Sequence, residues 1–212
     1  IKVGGGANDL ALLRTLPNVP DNLVGVFGTE LAAAKAVQCP EVLPVRSFGV
    51  AAGKAWVAYP WVDGVPLAAA LQRARELGQP VPLPITIRML LDALAGLAAM
   101  HRHVDPSGNV KPVVHGGFRP ESLWLSYEGQ VTVADIGAAN LRIRMEKPGE
   151  EPGLMADVHA AGSFMYFALT GQPPPPNATA ALDPRTVVAD IPASVANVVQ
   201  RATNPSAALR PS

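Results

Sequence analysis

The spacing of apolar positions divides the chain into a strand-rich first part and a helix-rich second part. IKVGGGANDLALLRTL (1–16) predicts two strands around a Gly-rich turn, and EVLPVRSFGV and KAWVAYPWVDG predict an antiparallel pair joined near Ala51–Gly53. Between them, GVFGTELAAAKAVQ (25–38) is rich in good helix formers and predicts one inserted helix, closed by Cys39-Pro40 because proline cannot continue it. A short helix is expected over 66–77, and PVPLP at 80–84 interrupts the chain. In ITIRMLLDALAGLAAMHRH (85–103) apolar residues recur at threes and fours, with basic residues and His in the last turn, so this is the clearest helix. DPSGNVKP (105–112) is a polar loop.

Past that loop, Leu123 and Leu125 alternate with their neighbours, as do Val131 and Val133, which predicts a hairpin turning at Glu128-Gly129. NLRIRMEKPGEEPG (140–153) is charged and punctuated by Gly and Pro, so an exposed loop is expected. Helices follow over 155–170 and 194–202, separated by the irregular stretch GQPPPPNATAALDP. Strands first and helices later argue for an α+β arrangement.

Charge and cysteine use narrow the function. Lys plus Arg equals Asp plus Glu at 17 each, so the basic excess that nucleic-acid binding rests on is missing. Only 16% of residues are charged, against an ordinary share of about 25%, and 49% are hydrophobic. Such a surface suits a protein that meets other proteins. Cys39 is the only cysteine, which excludes an internal disulfide framework and a cysteine-rich zinc site. The first residue is Ile1, as in a domain cut from a longer chain, and no signal-peptide pattern or uninterrupted apolar span of membrane length is read. A cytoplasmic domain is expected, with any membrane attachment through segments outside this chain.

One stretch poses the functional question. VVHGGFRPESLWLSYEGQVTVADIG (113–137) resembles the catalytic core of the protein kinase fold, in its bacterial Ser/Thr form, and HGGFRPES resembles the loop written H-R-D-x-x-x-x-N. On that resemblance His115 matches the His, Gly116 the Arg, Gly117 the catalytic Asp, Arg119 the common basic position and Ser122 the metal-binding Asn. Asp135-Ile136-Gly137 resembles D-F-G. ALLRTL resembles the strand that carries the nucleotide-binding lysine, which puts Arg14 in that place, with Lys2 as the discounted rival; Glu30 stands where the partner Glu of the first helix belongs. YPWVDGVPL resembles the hinge, with Tyr59 as gatekeeper and Pro60 and Trp61 offering backbone groups to an adenine. Asp157 resembles the first Asp of the long helix of the large lobe, and Arg210 the arginine of the closing motif.

The resemblance implies a two-lobed fold with a truncated β-rich N-lobe over 1–62, lacking a clear Gly-rich loop, and a mainly helical C-lobe over 63–212. It also implies what is missing. Phosphoryl transfer relies on positioning, metal and a group oriented on the nucleophile. Gly117 has no side chain, and the Ser122 hydroxyl is a weak neutral donor for a hard cation. Asp135 alone is left to hold one Mg²⁺, unless it only shapes the turn. Arg14 is expected to brace Glu30 instead of binding phosphate. GGGAND (4–9) reads as a turn, not a phosphate cradle. Between Asp135 and Asp157 there is no Ser, Thr or Tyr, so phosphorylation cannot order that segment. His115, Ile136, Gly137, Asp157 and Arg210 are implied to be architectural. His101 and His103 are read as favourable dipole partners of their helix end, not as metal ligands. PPPP (173–176) is a rigid loop end or a polyproline ligand.

The expectation is a pseudokinase: a regulatory or scaffolding module that binds another protein, with no phosphotransfer, no resident cofactor and no nucleic-acid partner. The alternatives are a nucleotide sensor that binds ATP or another ligand in the cleft without turnover, with or without Mg²⁺, and a residual kinase using Asp135 to hold metal and a substitute acid such as Glu121.

Overall fold

A computed structural model describes residues 10–16, 18–79, 81–146, 149, 153–176 and 178–211. The expectations for Lys2 and for the Gly-rich stretch 4–9 lie outside the described residues.

Strand β1 (Ala11–Leu16) pairs antiparallel with β3 (Lys54–Pro60), and β3 with β2 (Ser47–Ala51), giving the order β1-β3-β2. Helix α1 (Asp21–Ala36) lies between β1 and β2 in the chain and buries Phe27, Leu31 and Ala34. Phe27 meets Phe48 of β2 edge-on, with ring centroids 6.3 Å apart. Phe27 and Leu31 are fully buried, and each contributes about 1.5–3 kcal/mol over an exposed side chain. The helix begins four residues before the expected Gly25 and ends at Ala36, short of Cys39-Pro40. Its early end follows from Val37, which turns extended at φ −69°, ψ 120° and is 3% exposed in the core.

The second part holds a small sheet of β4 (Gly64–Pro66), β5 (Leu123–Ser126) and β6 (Val131–Val133), in the order β4-β5-β6. Leu123 faces Val133 and Leu125 faces Val131 across the predicted hairpin. Helix α2 (Leu67–Glu76) follows β4, and α3 (Leu83–His101) precedes the loop that carries His115. By length and composition α3 reaches membrane-spanning apolarity, which the sequence reading missed because Arg88 and Asp92 interrupt it. Here Met89, Leu90, Ala93, Leu97 and Met100 are buried in the core, and Asp92 accepts a hydrogen bond from the Val131 N–H at 3.2 Å.

The largest correction concerns 140–153. Residues Ala138–Glu146 form a helix, α4, with Ala138, Ala139, Asn140 and Leu141 buried. Ala138, Leu141 and Met145 recur at three and four, enough to make one apolar stripe once a surface is there to receive it. Helix α5 (Leu154–Thr170) follows, closed by Gly171 in the left-handed region at φ 69°, and α6 (Ala193–Ala202) packs on it. Arg210 ties the chain end to α5: its Nη1 donates to Met155 O and its Nε to Asn204 O, both at 2.8 Å.

Candidate functional site: a cleft closed by arginines

The loop 115–122 is held from below by Asp157, near the start of α5. This carboxylate is 1% exposed and accepts from His115 N–H at 2.7 Å, Gly116 N–H at 2.8 Å and His101 Nε2 at 3.1 Å. His101 therefore serves the loop as well as its helix end, which spacing along the chain could not reveal.

The His115 ring is fully buried, with Nε2 2.8 Å from Ala134 O. A carbonyl only accepts, so Nε2 carries the proton, and Nδ1 accepts the Gly117 N–H at 3.1 Å. Both ring nitrogens are occupied, which leaves no lone pair for a substrate. Burial pushes this imidazole below its ordinary value near 6.5, against the opposing pulls of Asp157 and the Ala134 carbonyl. The unfolded chain thus binds a proton that the folded chain refuses. The stabilising share is complete above the unfolded value near 6.5 and is lost as pH falls below it. At pH 6.5, where a free imidazole is half charged, ¹⁵N shifts of the folded His115 ring are expected to lie toward those of the neutral Nε2–H form, and a ring more than half charged at that pH would contradict it.

Ser122 has turned inward. Its hydroxyl donates to Arg119 O at 2.8 Å and accepts Arg119 N–H at 3.1 Å, and the residue is 2% exposed. Glu121 points to solvent, 3.7 Å from Arg119. Gly117 is packed from above: a Cβ built on it would lie 2.7 Å from Ala139 Cβ and 3.5 Å from Arg142 Nη2. Gly116 sits at φ 75°, a conformation that L side chains rarely adopt.

The expected Arg14–Glu30 brace is not formed. Arg14 Nε instead donates to Asp135 Oδ1 at 2.8 Å, and Nη2 reaches Glu121 O at 3.4 Å, so the side chain crosses the cleft. Glu30 is bound by Arg144 of α4, with Nη2 at 3.0 Å and Nε at 3.3 Å from Oε1. The cause is α4 itself, which delivers a second guanidinium to Glu30 and leaves Arg14 to Asp135. Asp135 is in the left-handed region at φ 64°, next to the buried Ile136 and Gly137. Tyr59 is fully buried on β3 and its hydroxyl donates to Ile136 O at 3.5 Å. Burial, followed by the Asp135 charge, pushes its phenol well up, so it stays neutral. Trp61, beyond β3, is half exposed.

An Mg²⁺ held by Asp135 fits this arrangement poorly. One carboxylate oxygen already carries a guanidinium, Ser122 is committed to Arg119, and the described residues contain no cluster of three His, Cys, Asp or Glu side chains able to hold a metal. Away from the cleft, a cavity of about 790 Å³ opens between α2, the loop at Phe118–Glu121, α5 and Pro173–Pro174. Phe118 and Phe164 stack edge-on along it, 6.2 Å apart. Sequence reasoning missed it, because distant segments of the chain build it together.

The two sheets, the helical second part and the loop anchored on its long helix define a protein kinase-like fold. No family model matches the chain. Over 186 residues it is 28% identical to the tyrosine-protein kinase MasK of Myxococcus xanthus, covering 78% of this chain and 29% of that protein. Over 165 residues it is 27% identical to the serine/threonine-protein kinase PknE of Mycobacterium tuberculosis, covering 68% and 27%. The crystal structure of the Mycobacterium tuberculosis PknI kinase domain matches with a TM-score of 0.72 at 20% identity, covering 94% of this chain and 79% of that domain. The chain is thus similar to bacterial protein kinases and shares the fold of their kinase domains. It spans less than a third of the length of these curated relatives.

Proposed function

We propose that this chain is a pseudokinase domain, a regulatory or scaffolding module that binds another protein and transfers no phosphate. The observation that carries the reading is Arg14 on Asp135. A guanidinium holds the one carboxylate left for metal, in the space a triphosphate and its cation need. The side-chain-free Gly117 against Ala139 supports it, since no group there can orient an acceptor hydroxyl.

The test is thermal unfolding with ATP or ADP, each with Mg²⁺, Mn²⁺ or EDTA. A ligand specific for the folded state adds about 2.7 kcal/mol at a hundred times its dissociation constant, a visible shift. The natural sequence is expected to show none. Arg14→Ala frees Asp135, so a Mn²⁺-dependent shift is expected in that variant alone. A metal-dependent shift in the natural sequence, with radiolabel transfer abolished by Asp135→Ala, would overturn the reading. A shift that persists in EDTA would favour the nucleotide sensor.

A further inference from the structure

Of the aromatic side chains among the described residues, only Trp61 and Tyr127 are exposed, at 50% and 74%. Exposed Trp and Tyr are the side chains that most often anchor a partner protein, because each offers a large apolar face with a polar tip. The fold brings these two to one place. Trp61 follows β3, Tyr127 lies in the turn between β5 and β6, and the Tyr127 N–H donates to Asp63 O at 3.0 Å. Beside that bond β4 pairs with β5, Gly64 opposite Ser126. A Cβ on Gly64 would collide with Leu125 O, so only glycine lets the two segments lie this close.

The backbone under the rings is well tied. Val62 packs on the core, while Trp61 and Asp63 on either side of it are exposed, the alternation of an extended segment. The turn at Tyr127 is closed by the Ser126 N–H donating to Gln130 O and the Gly129 N–H donating to Ser126 O, both at 2.9 Å. A surface held in this way has little order left to gain on binding.

Local charge names the occupant. Residues 60–66 and 126–130 carry two carboxylates, Asp63 and Glu128, and no Lys, Arg or His, in a chain whose opposite charges balance at 17 each. Both residues are exposed, and neither carboxylate has a hydrogen bond or ion pair with a described residue. Helix α2, which packs on β4 and β5, brings two arginines near, but Arg73 is paired with Glu76, and Arg75 with Gly171 O and the Phe167 ring. Two aromatic faces beside two unpaired carboxylates suit a guanidinium, whose plane stacks on a ring while its N–H groups donate to carboxylate oxygens.

We propose that Trp61, Asp63, Tyr127 and Glu128 form a docking surface for an arginine-bearing segment of a partner protein. The inference rests on the reading of this chain as a partner-binding module, and not on its loss of phosphotransfer. Like charge repels an acidic segment, and a purely apolar one would cover both carboxylates without offering them a donor.

NMR of the amides and indoles of the whole chain tests it, with a synthetic peptide of three arginines spaced by glycine and serine as the probe. The Trp61 indole and the amides of 61–64 and 126–129 are expected to shift together. Trp61→Ala should weaken binding about tenfold or more, and Asp63→Asn combined with Glu128→Gln should do the same. Tyr127→Phe keeps the ring and should bind nearly as the natural sequence does. These side chains are exposed, so urea unfolding should be unchanged in every variant. Raising salt to about 1 M screens the carboxylates and should weaken the natural sequence more than the Asp63→Asn, Glu128→Gln variant. No shift at millimolar peptide, shifts centred elsewhere, or equal binding by the variants would each overturn the surface. Equal shifts with an uncharged proline-rich peptide would overturn the cationic occupant. None of these outcomes touches the unfolding test with ATP and ADP, so this surface and the pseudokinase reading fail separately.

Discussion

Asp157→Ala is expected to lower stability by about 3–5 kcal/mol, the range for removing one partner from a buried charged network. The 1%-exposed carboxylate receives three donors, from His115, Gly116 and His101. Without it, two backbone N–H groups are left without acceptors at about 1–3 kcal/mol for each, although the loop can move partway to water. A domain holds only about 5–15 kcal/mol in total, so the variant sits at the edge of folding. Urea unfolding measures the effect. A loss below about 1 kcal/mol would mean that the loop is held mainly by packing of His115 and Phe118, which meet edge-on at 5.7 Å. Asp157→Asn keeps one acceptor oxygen and should lose less.

Rebuilding the catalytic residues is expected to fail. Gly117→Asp combined with Ser122→Asn should give no phosphotransfer above a heat-treated control, and stability should fall by about 1–3 kcal/mol, as for overpacking a filled site. The new Cβ at position 117 meets Ala139 at 2.7 Å, so either the loop or α4 must shift. Replacing Ser122 removes the hydroxyl that closes the Arg119 turn. Arg14 would still hold Asp135. Radiolabel transfer by this double variant would show that the two positions were the only barrier, and would sink the picture of a cleft closed by arginines. Adding Arg14→Ala and Arg144→Ala asks whether the two arginines are the remaining obstacle.

The strands and most helices were legible because their signals are local. Alternation at Leu123, Leu125, Val131 and Val133 fixes a hairpin whose register one face of buried residues enforces. The apolar recurrence of α3 is strong enough to survive Arg88 and Asp92. Helix α4 was hidden because its stripe is short: a few apolar positions among two arginines and a glutamate read as solvated chain until α1 and Gly117 provide a surface for them. Ion-pair partners were harder still. Arg14 on β1 and Glu30 on α1 stand close in the chain, which made them natural partners on paper. A guanidinium takes the carboxylate with the best geometry, however, and that choice depends on Arg144, which lies 114 positions from Glu30.

What the sequence determined by itself was the kind of fold and which side chains the loop lacks: Gly116-Gly117 has no side chain to orient a hydroxyl, whatever surrounds it. The tertiary structure decided where the remaining charges go. Electrostatic pairing weakens with distance and strengthens with burial. Whether Asp135 meets a metal or Arg14, and whether Glu30 meets Arg14 or Arg144, is therefore settled only when helix, strand and loop are packed to within about 3 Å of each other.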